Sequence, residues 1–198
     1  MENEYYPHLL IMENVEYPPT ISNCLLLFKK NLNSGKSIPR YIEGVRFSED
    51  LLFGAQLLYA ADSFYYMKGE CFYHYCMNPE SATHSFKSDK WNDYKKLIKE
   101  IRRSFASCAE HDFEKQIDLV QLFFLYNAVG EIISASELDR KEKANMSRNI
   151  LRSEEIREMF KKIRIMKLQI PFKLKIVTMI YKYGIGFSLL IIARESRK

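Results

Sequence analysis

The chain has 198 residues, of which 47% are hydrophobic and 14% aromatic, so it can bury one core or at most two small ones. It contains only 7 Gly and 6 Pro and has no internal repeat or low-complexity stretch, which argues against the disordered and repeat-protein classes. The formal charge of +5 is unevenly placed, because residues 159–198 hold ten Lys or Arg against the single acid Glu195.

The N-terminal residues and the cysteines indicate the cellular compartment. The segment MENEYYPHLL is acidic and aromatic, whereas a secretory signal peptide begins with a basic stretch followed by an apolar run. Cys24, Cys71, Cys76 and Cys108 follow no C-x-x-C or zinc-type spacing, which favours free thiols in a reducing compartment. We therefore expect a cytoplasmic protein whose own residues form no metal site.

The first 47 residues carry no long periodic pattern. Proline occurs there at four positions, Pro7, Pro18, Pro19 and Pro39. Because proline interrupts regular structure, this region predicts loops, with one short helix in the apolar segment 21–30.

The next predicted element is a helix over roughly residues 49–61. Ser48 is a favourable N-cap, and Glu49 and Asp50 fill the first turn. Apolar side chains follow at a spacing of three to four residues, namely Leu51, Leu52, Ala55, Leu58 and Tyr59. Composition alone explains the two carboxylates by the positive end of the helix dipole.

An aromatic-rich stretch occupies residues 63–76. The segments 63–67 and 71–76 flank the glycine turn Lys68-Gly69-Glu70. Aromatic residues on both sides of such a turn predict a hairpin or two short strands.

Beyond residue 88 the apolar pattern is helical. Two amphipathic stripes recur at a spacing of three to four residues, the first made of Trp91, Tyr94, Leu97, Ile98, Ile101 and Phe105 and the second of Phe113, Ile117, Val120, Phe124 and Ala128. Ser136 and Ser153, each followed by acidic residues, are the predicted N-caps of a third and a fourth helix.

The last predicted helix begins at Pro171 and runs to Ala193. Its uninterrupted apolar stretch is well short of the ~20 residues that span a bilayer. Cations occur throughout residues 171–198, at Lys173, Lys175, Lys182, Arg194, Arg197 and Lys198. They predict a helix lying on an anionic membrane surface, with Phe172, Ile176, Ile180 and Phe187 entering the acyl boundary. The equal alternative is a helix packed on the protein's own core.

Three segments resemble, in their order and spacing, the family 2 glycosyltransferases of the glycosyltransferase A fold. The first is Asn23-Cys-Leu-Leu-Leu-Phe-Lys-Lys30, which corresponds to the family's N-K-L-F-K-R loop and is two residues longer. The second is the acidic pair Glu49-Asp50 at a helix start. The third is Tyr73-His74-Tyr75 with the polar turn Asn78-Pro79-Glu80-Ser81, which matches a strand ending in Y-x-Y and an N-x-x-S turn.

The resemblance implies that the acidic pair is catalytic. In an inverting transferase one carboxylate accepts the proton of the acceptor hydroxyl while that oxygen attacks the anomeric carbon. We choose Asp50 as this base and Glu49 as the group that orients it or holds a sugar hydroxyl. One sequence leaves open which member of the pair is the base.

The resemblance also implies substrate-binding residues, namely Tyr73, Tyr75, Asn78, Ser81 and His84. Aromatic faces pack on sugar rings, and a polar turn can reach hydroxyl or phosphate groups. The simpler alternative makes Tyr73 and Tyr75 ordinary strand residues and His84 a hydrogen-bonded surface residue.

The chain also departs from the family. No Asp-x-Asp motif occurs, and no βαβ pattern precedes residue 21. The nucleotide sugar donor and the divalent cation, Mg or Mn, are implied by the family alone, and their ligands are not in this sequence. We therefore expect a fragment of a longer product, a degenerate remnant, or a chain whose donor half is a separate protein.

The resulting fold prediction is α+β and helix-dominated. Residues 1–88 are predicted as the acceptor-side remnant of a partial glycosyltransferase A fold, with short aromatic strands, and residues 89–198 as a helical bundle with a basic apolar tail. The expected function is hexosyl or similar transfer to a cell-surface glycan or a lipid-linked acceptor, at the inner face of the cell membrane. Uncovered strand edges would favour self-association. The competing class is a non-catalytic helical adaptor at the membrane surface, and nucleic-acid binding ranks last, because no recognised module accompanies the basic tail.

Overall fold

The computed structural model describes residues 5–18, 22–29, 39–65, 67, 69–70, 73–74, 76, 86–108 and 111–196. Within these ranges the chain forms seven α-helices and no β-strand. The helices are α1 (Glu49–Ala60), α2 (Lys90–Phe105), α3 (Glu114–Ser134), α4 (Arg140–Leu151), α5 (Glu154–Lys162), α6 (Phe172–Tyr183) and α7 (Phe187–Glu195). The helix-dominated part of the predicted fold class is confirmed.

The predicted strands are wrong wherever the structure describes them. In the segments 63–67 and 71–76, every described residue has irregular backbone. The predicted turn is present, because Gly69 has φ +87° and the Glu70 amide donates to the Met67 carbonyl. Aromatic residues favour strands only where a neighbouring strand and a core face are available, and an isolated hairpin is marginally stable in water. The strand-containing part of a glycosyltransferase A fold is therefore not found in the described residues.

The described residues divide into two compact units. The first lies within Met1–Met12, Glu16–Ser85 and Asn92–Ile117, and it contains α1 and the greater part of α2. The second lies within Glu13–Val15, Phe86–Trp91 and Asp118–Lys198, and it contains the greater part of α3 with all of α4 to α7.

The core of the first unit forms around α1. This helix begins and ends within one residue of its predicted bounds, and eight of its twelve residues are buried, Leu51, Leu52, Phe53, Gly54, Ala55, Leu57, Leu58 and Ala60. The Tyr59 ring meets those of Phe105 and Phe113 edge-on, with centroids 5.7 and 6.1 Å away. Such aromatic pairs contribute about 0.5–1.5 kcal/mol each beyond the area they bury.

A buried glutamine holds the N-terminal segment in the same unit. The Gln116 side-chain amide donates to the Tyr6 carbonyl at 2.6 Å, and its oxygen accepts from the Leu10 amide at 2.9 Å. Leu9, Leu10 and Ile11 are buried beside these bonds. The glutamine thus satisfies backbone groups that burial would otherwise leave without partners.

The second unit is built on α3, which is apolar on nearly every side. Val120, Leu122, Phe124, Leu125 and Val129 are fully buried. By length and composition, α3 could cross a membrane, but 67% of its most apolar window is buried inside the protein. Burial of this extent is typical of the central helix of a helical core.

The start of α4 corrects one predicted cap. Ser136 was expected to begin this helix, but Asp139 is the N-cap and accepts from the Glu142 amide at 2.7 Å. The Glu142 side chain accepts from the Asp139 amide at 2.8 Å, which completes a capping box. Ser153 does lie at the predicted N-cap position of α5, without a side-chain cap bond.

The single C-terminal helix predicted from Pro171 to Ala193 is wrong. Gly184 and Gly186, with φ +70° and +78°, separate α6 from α7. Glycine adopts this left-handed conformation without the steric cost that a side chain imposes, so it ends a helix readily.

The capping box at α4 leads to a first prediction. Asp139→Ala should lower the free energy of unfolding by about 1 kcal/mol, because the Glu142 amide loses its acceptor. Ser136→Ala should change it by less than about 0.5 kcal/mol, since this exposed residue lies outside the helix. Urea unfolding followed by circular dichroism measures both variants, and equal losses would contradict the assignment of the cap.

Candidate functional site

The start of α1 carries a cluster of polar side chains drawn from three separate segments. The 3-10 helix Asn23–Leu25 packs on α1. The Asn23 side-chain amide donates to Asp50 Oδ1 at 3.0 Å and to the Tyr41 hydroxyl at 2.6 Å. A longer bond of 3.4 Å joins the Asn23 backbone amide to Asp50 Oδ2. We call Tyr17, Asn23, Tyr41, Ser48, Glu49 and Asp50 the acidic cluster.

The hydrogen bonds of Asn23 define how Asp50 is held. A carboxylate only accepts, so the nitrogen of the Asn23 amide must face Asp50. Both oxygens of Asp50 receive one N–H group, and each keeps a further lone pair. The carboxylate is therefore fixed in direction while it retains capacity to accept another proton.

Ser48 enters α1 in a strained conformation. Its φ of 58° and ψ of 21° lie in the left-handed region, and its side chain makes no cap bond to α1. A non-glycine residue in this region costs of order 1–3 kcal/mol and is held only by its surroundings. Such outliers concentrate at functional sites, which draws attention to this turn.

Tyr17 approaches the cluster from the N-terminal segment. Burial raises the pKa of its hydroxyl well above the ordinary value of 10.0, and the charges of Glu49 and Asp50 raise it further. The nearby Ser48 side chain opposes this shift. The Tyr17 hydroxyl is therefore neutral at physiological pH.

The pKa of Glu49 is raised above its ordinary value of 4.5. Desolvation is the largest cause, and the charge of Asp50 acts in the same direction. A hydrogen bond with the Glu49 backbone lowers the pKa in part. Desolvation and the neighbouring carboxylate therefore make Glu49 more basic than an exposed glutamate.

Exposed aromatic and apolar side chains border the acidic cluster. Tyr41 stacks on Phe53 with centroids 4.7 Å apart and ring planes inclined by 10°, while Tyr41 itself is 53% exposed. Phe28 lies beside the same Phe53 ring at 6.0 Å and is also exposed. Leu25 and Leu27 extend this apolar surface. An open aromatic face beside ionisable groups is a typical lining of a binding site for a ring-shaped polar ligand.

The loop that carries Tyr41 is held by a turn at Gly44 and by contacts of the two residues that follow Val45. Arg46 Nε donates to the buried Asp93 carboxylate on α2 at 3.2 Å, and Phe47 is buried. Gly44 has φ +74°, and the Val45 amide closes the turn on the Ile42 carbonyl. These contacts place Tyr41 and Ser48 without help from regular secondary structure.

The structure brings together only some of the residues predicted for the site. Glu49 and Asp50 share the first turn of α1, as predicted. Tyr73 lies in irregular backbone and is exposed. The predicted binding residues Tyr75, Asn78, Ser81 and His84 lie outside the described residues.

Sequence reasoning missed Tyr17 and Tyr41 and did not assign a role to Asn23. Asn23 opens the first family-like segment, so its position was a usable signal. Tyr17 and Tyr41 stand in loops without periodicity, and nothing in their spacing relates them to the acidic pair. Their place at the site depends on how the loops fold back on α1.

The described residues offer no ligand set for the divalent cation that the family resemblance implies. No three His, Cys, Asp or Glu side chains converge in that part of the chain. Cys24, Cys76 and Cys108 are free thiols.

No protein-family model, curated protein or solved structure matches the chain.

The raised pKa of Glu49 leads to a second prediction. A carboxyl with a raised folded-state pKa stabilises the fold when protonated, and this stability is lost as the pH rises from 4.5 through the folded-state pKa. Glu49→Gln should remove this pH-dependent loss of stability and raise the free energy of unfolding at pH 7. Urea unfolding between pH 3.5 and 8 measures the difference.

The matched control for this prediction is Glu43→Gln, at an exposed position in the loop before α1. Its unfolding curves over the same pH range are the reference for the loss of one glutamate charge. A Glu49→Gln curve parallel to that of the wild type would show that Glu49 titrates normally.

Proposed function

We propose that this chain forms the acceptor side of an inverting glycosyltransferase, with the acidic cluster as its acceptor site. The observation that carries the proposal is the pair of hydrogen bonds from Asn23 to Asp50. These residues belong to the first and second family-like segments and are 27 residues apart in the sequence. An acceptor site that uses both family-like segments requires them to be in contact, as Asn23 and Asp50 are. A helix cap alone does not require this contact.

Asp50 is the candidate base of the transfer. The acceptor hydroxyl gives its proton to the Asp50 carboxylate, and its oxygen forms the bond to the anomeric carbon. The bond from that carbon to the diphosphate breaks on the opposite face, and the nucleotide diphosphate leaves with the electron pair. Asn23 holds the carboxylate in direction, which limits the reorganisation needed for this step.

Glu49 is the candidate orienting group. Its raised pKa makes it a stronger hydrogen-bond acceptor for a sugar hydroxyl than an exposed glutamate. The same shift also keeps Glu49 eligible as the base. If Glu49 is the base, its raised pKa moves the acid-side fall in activity to a higher pH than an ordinary carboxyl would give.

The open face of Tyr41 is the candidate platform for the acceptor sugar. One face of its ring is covered by Phe53, and the ring stays half exposed. Its hydroxyl and the Asp50 carboxylate share the amide of Asn23, so a sugar stacked on Tyr41 would lie within reach of the acidic pair. Aromatic stacking of this kind favours a pyranose ring over a linear polyol.

The donor side of the reaction is assigned to residues outside this sequence. The chain contains no Asp-x-Asp motif, and the described residues hold no cluster of cation ligands. We therefore propose that a separate chain or segment binds the nucleotide sugar and its divalent cation. The site of action is then the inner face of the cell membrane, where lipid-linked and cell-surface glycan precursors are assembled.

Asp50→Asn tests the catalytic role. This substitution should lower the rate of sugar transfer by about 10²–10⁴-fold, because the amide cannot take the proton of the acceptor. The assay adds the purified chain to membranes of the cells that make it, with labelled UDP- and GDP-sugars, and counts label in extracted glycans and glycolipids. Asp62→Asn, at an exposed position after α1, is the matched control. Equal incorporation with Asp50→Asn and the wild type would refute the proposal.

Tyr41→Ala tests the acceptor platform without any donor. Saturation-transfer NMR with a panel of mono- and disaccharides should show contacts with the wild-type chain, weakened about tenfold or more in Tyr41→Ala because the stacking face is lost. Tyr65→Ala removes another exposed tyrosine and should leave binding intact. A non-catalytic adaptor would be favoured if no saccharide bound the wild-type chain and if Asp50→Asn transferred sugar at the wild-type rate.

A further inference from the structure

The C-terminal helices expose more large apolar side chains than their folding requires. Phe172 is 69% exposed and Ile185 is 78% exposed. Further exposed apolar residues of this region are Met166, Ile176, Tyr183, Leu189 and Ile192. Single exposed apolar residues are common on proteins, but a concentration in one region of the chain indicates an interaction surface.

Helix α6 shows that this exposure follows a pattern. Thr178 and Tyr181 are buried, and the Tyr181 ring packs beside those of Tyr126 and Phe187. Phe172, Ile176 and Tyr183 are four and then seven residues apart, so they lie along one stripe that faces solvent. Helix α6 is therefore apolar on two sides, and only one of them is used by the core.

The junction between α6 and α7 presents a further apolar group. Ile185 stands between Gly184 and Gly186, which both have left-handed backbone. A Cβ at Gly184 would meet no heavy atom within 4 Å, so the turn is open to solvent. Tyr183 on one side of the turn and Leu189 on the other are exposed as well.

The segment that carries this surface is strongly basic, with acids only at its edges, where Glu195 ends α7 and the Glu13 carboxylate accepts from the Gln169 side chain. Residues 159–194 contain eight Lys or Arg and no Asp or Glu. Lys161 pairs with Glu158 and Lys162 with Asp118. The other six make no ion pair with a described carboxylate, and these are Arg164, Lys167, Lys173, Lys175, Lys182 and Arg194. Lys182 and Lys175 donate to the carbonyls of Phe160 and Met166, which leaves their positive charges uncompensated.

We propose that the α6–α7 region binds the surface of an anionic lipid bilayer, with Tyr183, Ile185 and Leu189 entering the boundary between headgroups and acyl chains. The stripe Phe172, Ile176 and Tyr183 lies along the same boundary, and the surrounding cations meet the anionic headgroups. Apolar burial and headgroup attraction are the two contributions that hold a helix in the membrane interface.

Charge complementarity selects the lipid surface over a second copy of the chain. Two copies that met through this surface would bring their uncompensated cations together, and like charges in contact oppose association. An anionic bilayer attracts the same cations. The proposal is independent of sugar transfer, since the vesicle experiments below contain no sugar and no nucleotide.

Vesicle sedimentation tests the proposal with the intact chain. We expect the chain to sediment with phosphatidylcholine vesicles that contain 30% phosphatidylglycerol and to remain in solution with pure phosphatidylcholine. Ile185→Ser should weaken the partition coefficient about tenfold, because an apolar side chain is lost from the bilayer. Lys173→Glu should weaken it about fivefold to tenfold, since the charge near the headgroups changes by two.

Matched controls separate the surface from general effects. Tyr65→Ser removes an exposed aromatic residue elsewhere, and Lys99→Glu makes the same charge change on α2. Both should bind vesicles like the wild type. Circular dichroism melting curves identify any variant that does not fold. If Ile185→Ser does not fold, Leu189→Ser removes another apolar side chain of the same surface in its place.

A second measurement reports insertion itself. The tryptophan fluorescence of Ile185→Trp should shift to shorter wavelength when the anionic vesicles are added, and lipids with brominated acyl chains should quench this fluorescence. Binding that Ile185→Ser leaves unchanged would overturn the proposal, because the chain would then adsorb by charge alone. A dimer in sedimentation velocity that Ile185→Ser dissociates, without vesicle binding, would also overturn it and assign the surface to self-association.

Discussion

Helix α1 is buried along most of its length, and this burial positions everything else at the acidic cluster. Eight of its twelve residues lie in the core, while Glu49 and Asp50 stand at its exposed end. Moving the helix along its axis would pull leucines into water or carboxylates into the core, and each change costs several kcal/mol. The acidic pair is therefore held at the edge of an apolar core by side chains that take no part in its chemistry.

The loops around α1 add further polar and aromatic side chains to this edge. Asn23 and Tyr41 reach the acidic pair from segments without periodic structure, and one amide connects them. A helix start leaves four backbone N–H groups without intrahelical acceptors, but the Asn23 side chain bonds to the Asp50 and Tyr41 side chains and satisfies none of them. These contacts, the left-handed Ser48 and the open Tyr41 face are therefore not explained by helix capping. They are the features on which the assignment of an acceptor site depends.

The two proposals concern different units of the chain and share one chemical theme. The acidic cluster, proposed to bind a hydroxyl-bearing ring, belongs to the first unit. The α6–α7 surface, proposed to bind anionic lipid, belongs to the second. A lipid-linked sugar acceptor contains both kinds of group. Each proposal nevertheless depends on its own residues, since the sugar-binding and the vesicle experiments address different side chains.

The sequence by itself determined the helical character, the bounds of α1 and the apolar face of α2, because these depend on local periodicity and on one burial face. The predicted stripe of α3 is buried, but so are most of its other sides. It also placed Glu49 and Asp50 at a helix start. The strands at 63–67 and 71–76, the cap at Ser136 and an unbroken C-terminal helix were local inferences that the structure overturned. A strand requires a paired neighbour, and Asp139 forms a reciprocal capping box where Ser136 does not. Only the tertiary structure decided that Asn23, Tyr41 and Tyr17 meet the acidic pair and that one apolar face of α6 stays in solvent, because such contacts depend on how distant segments fold together.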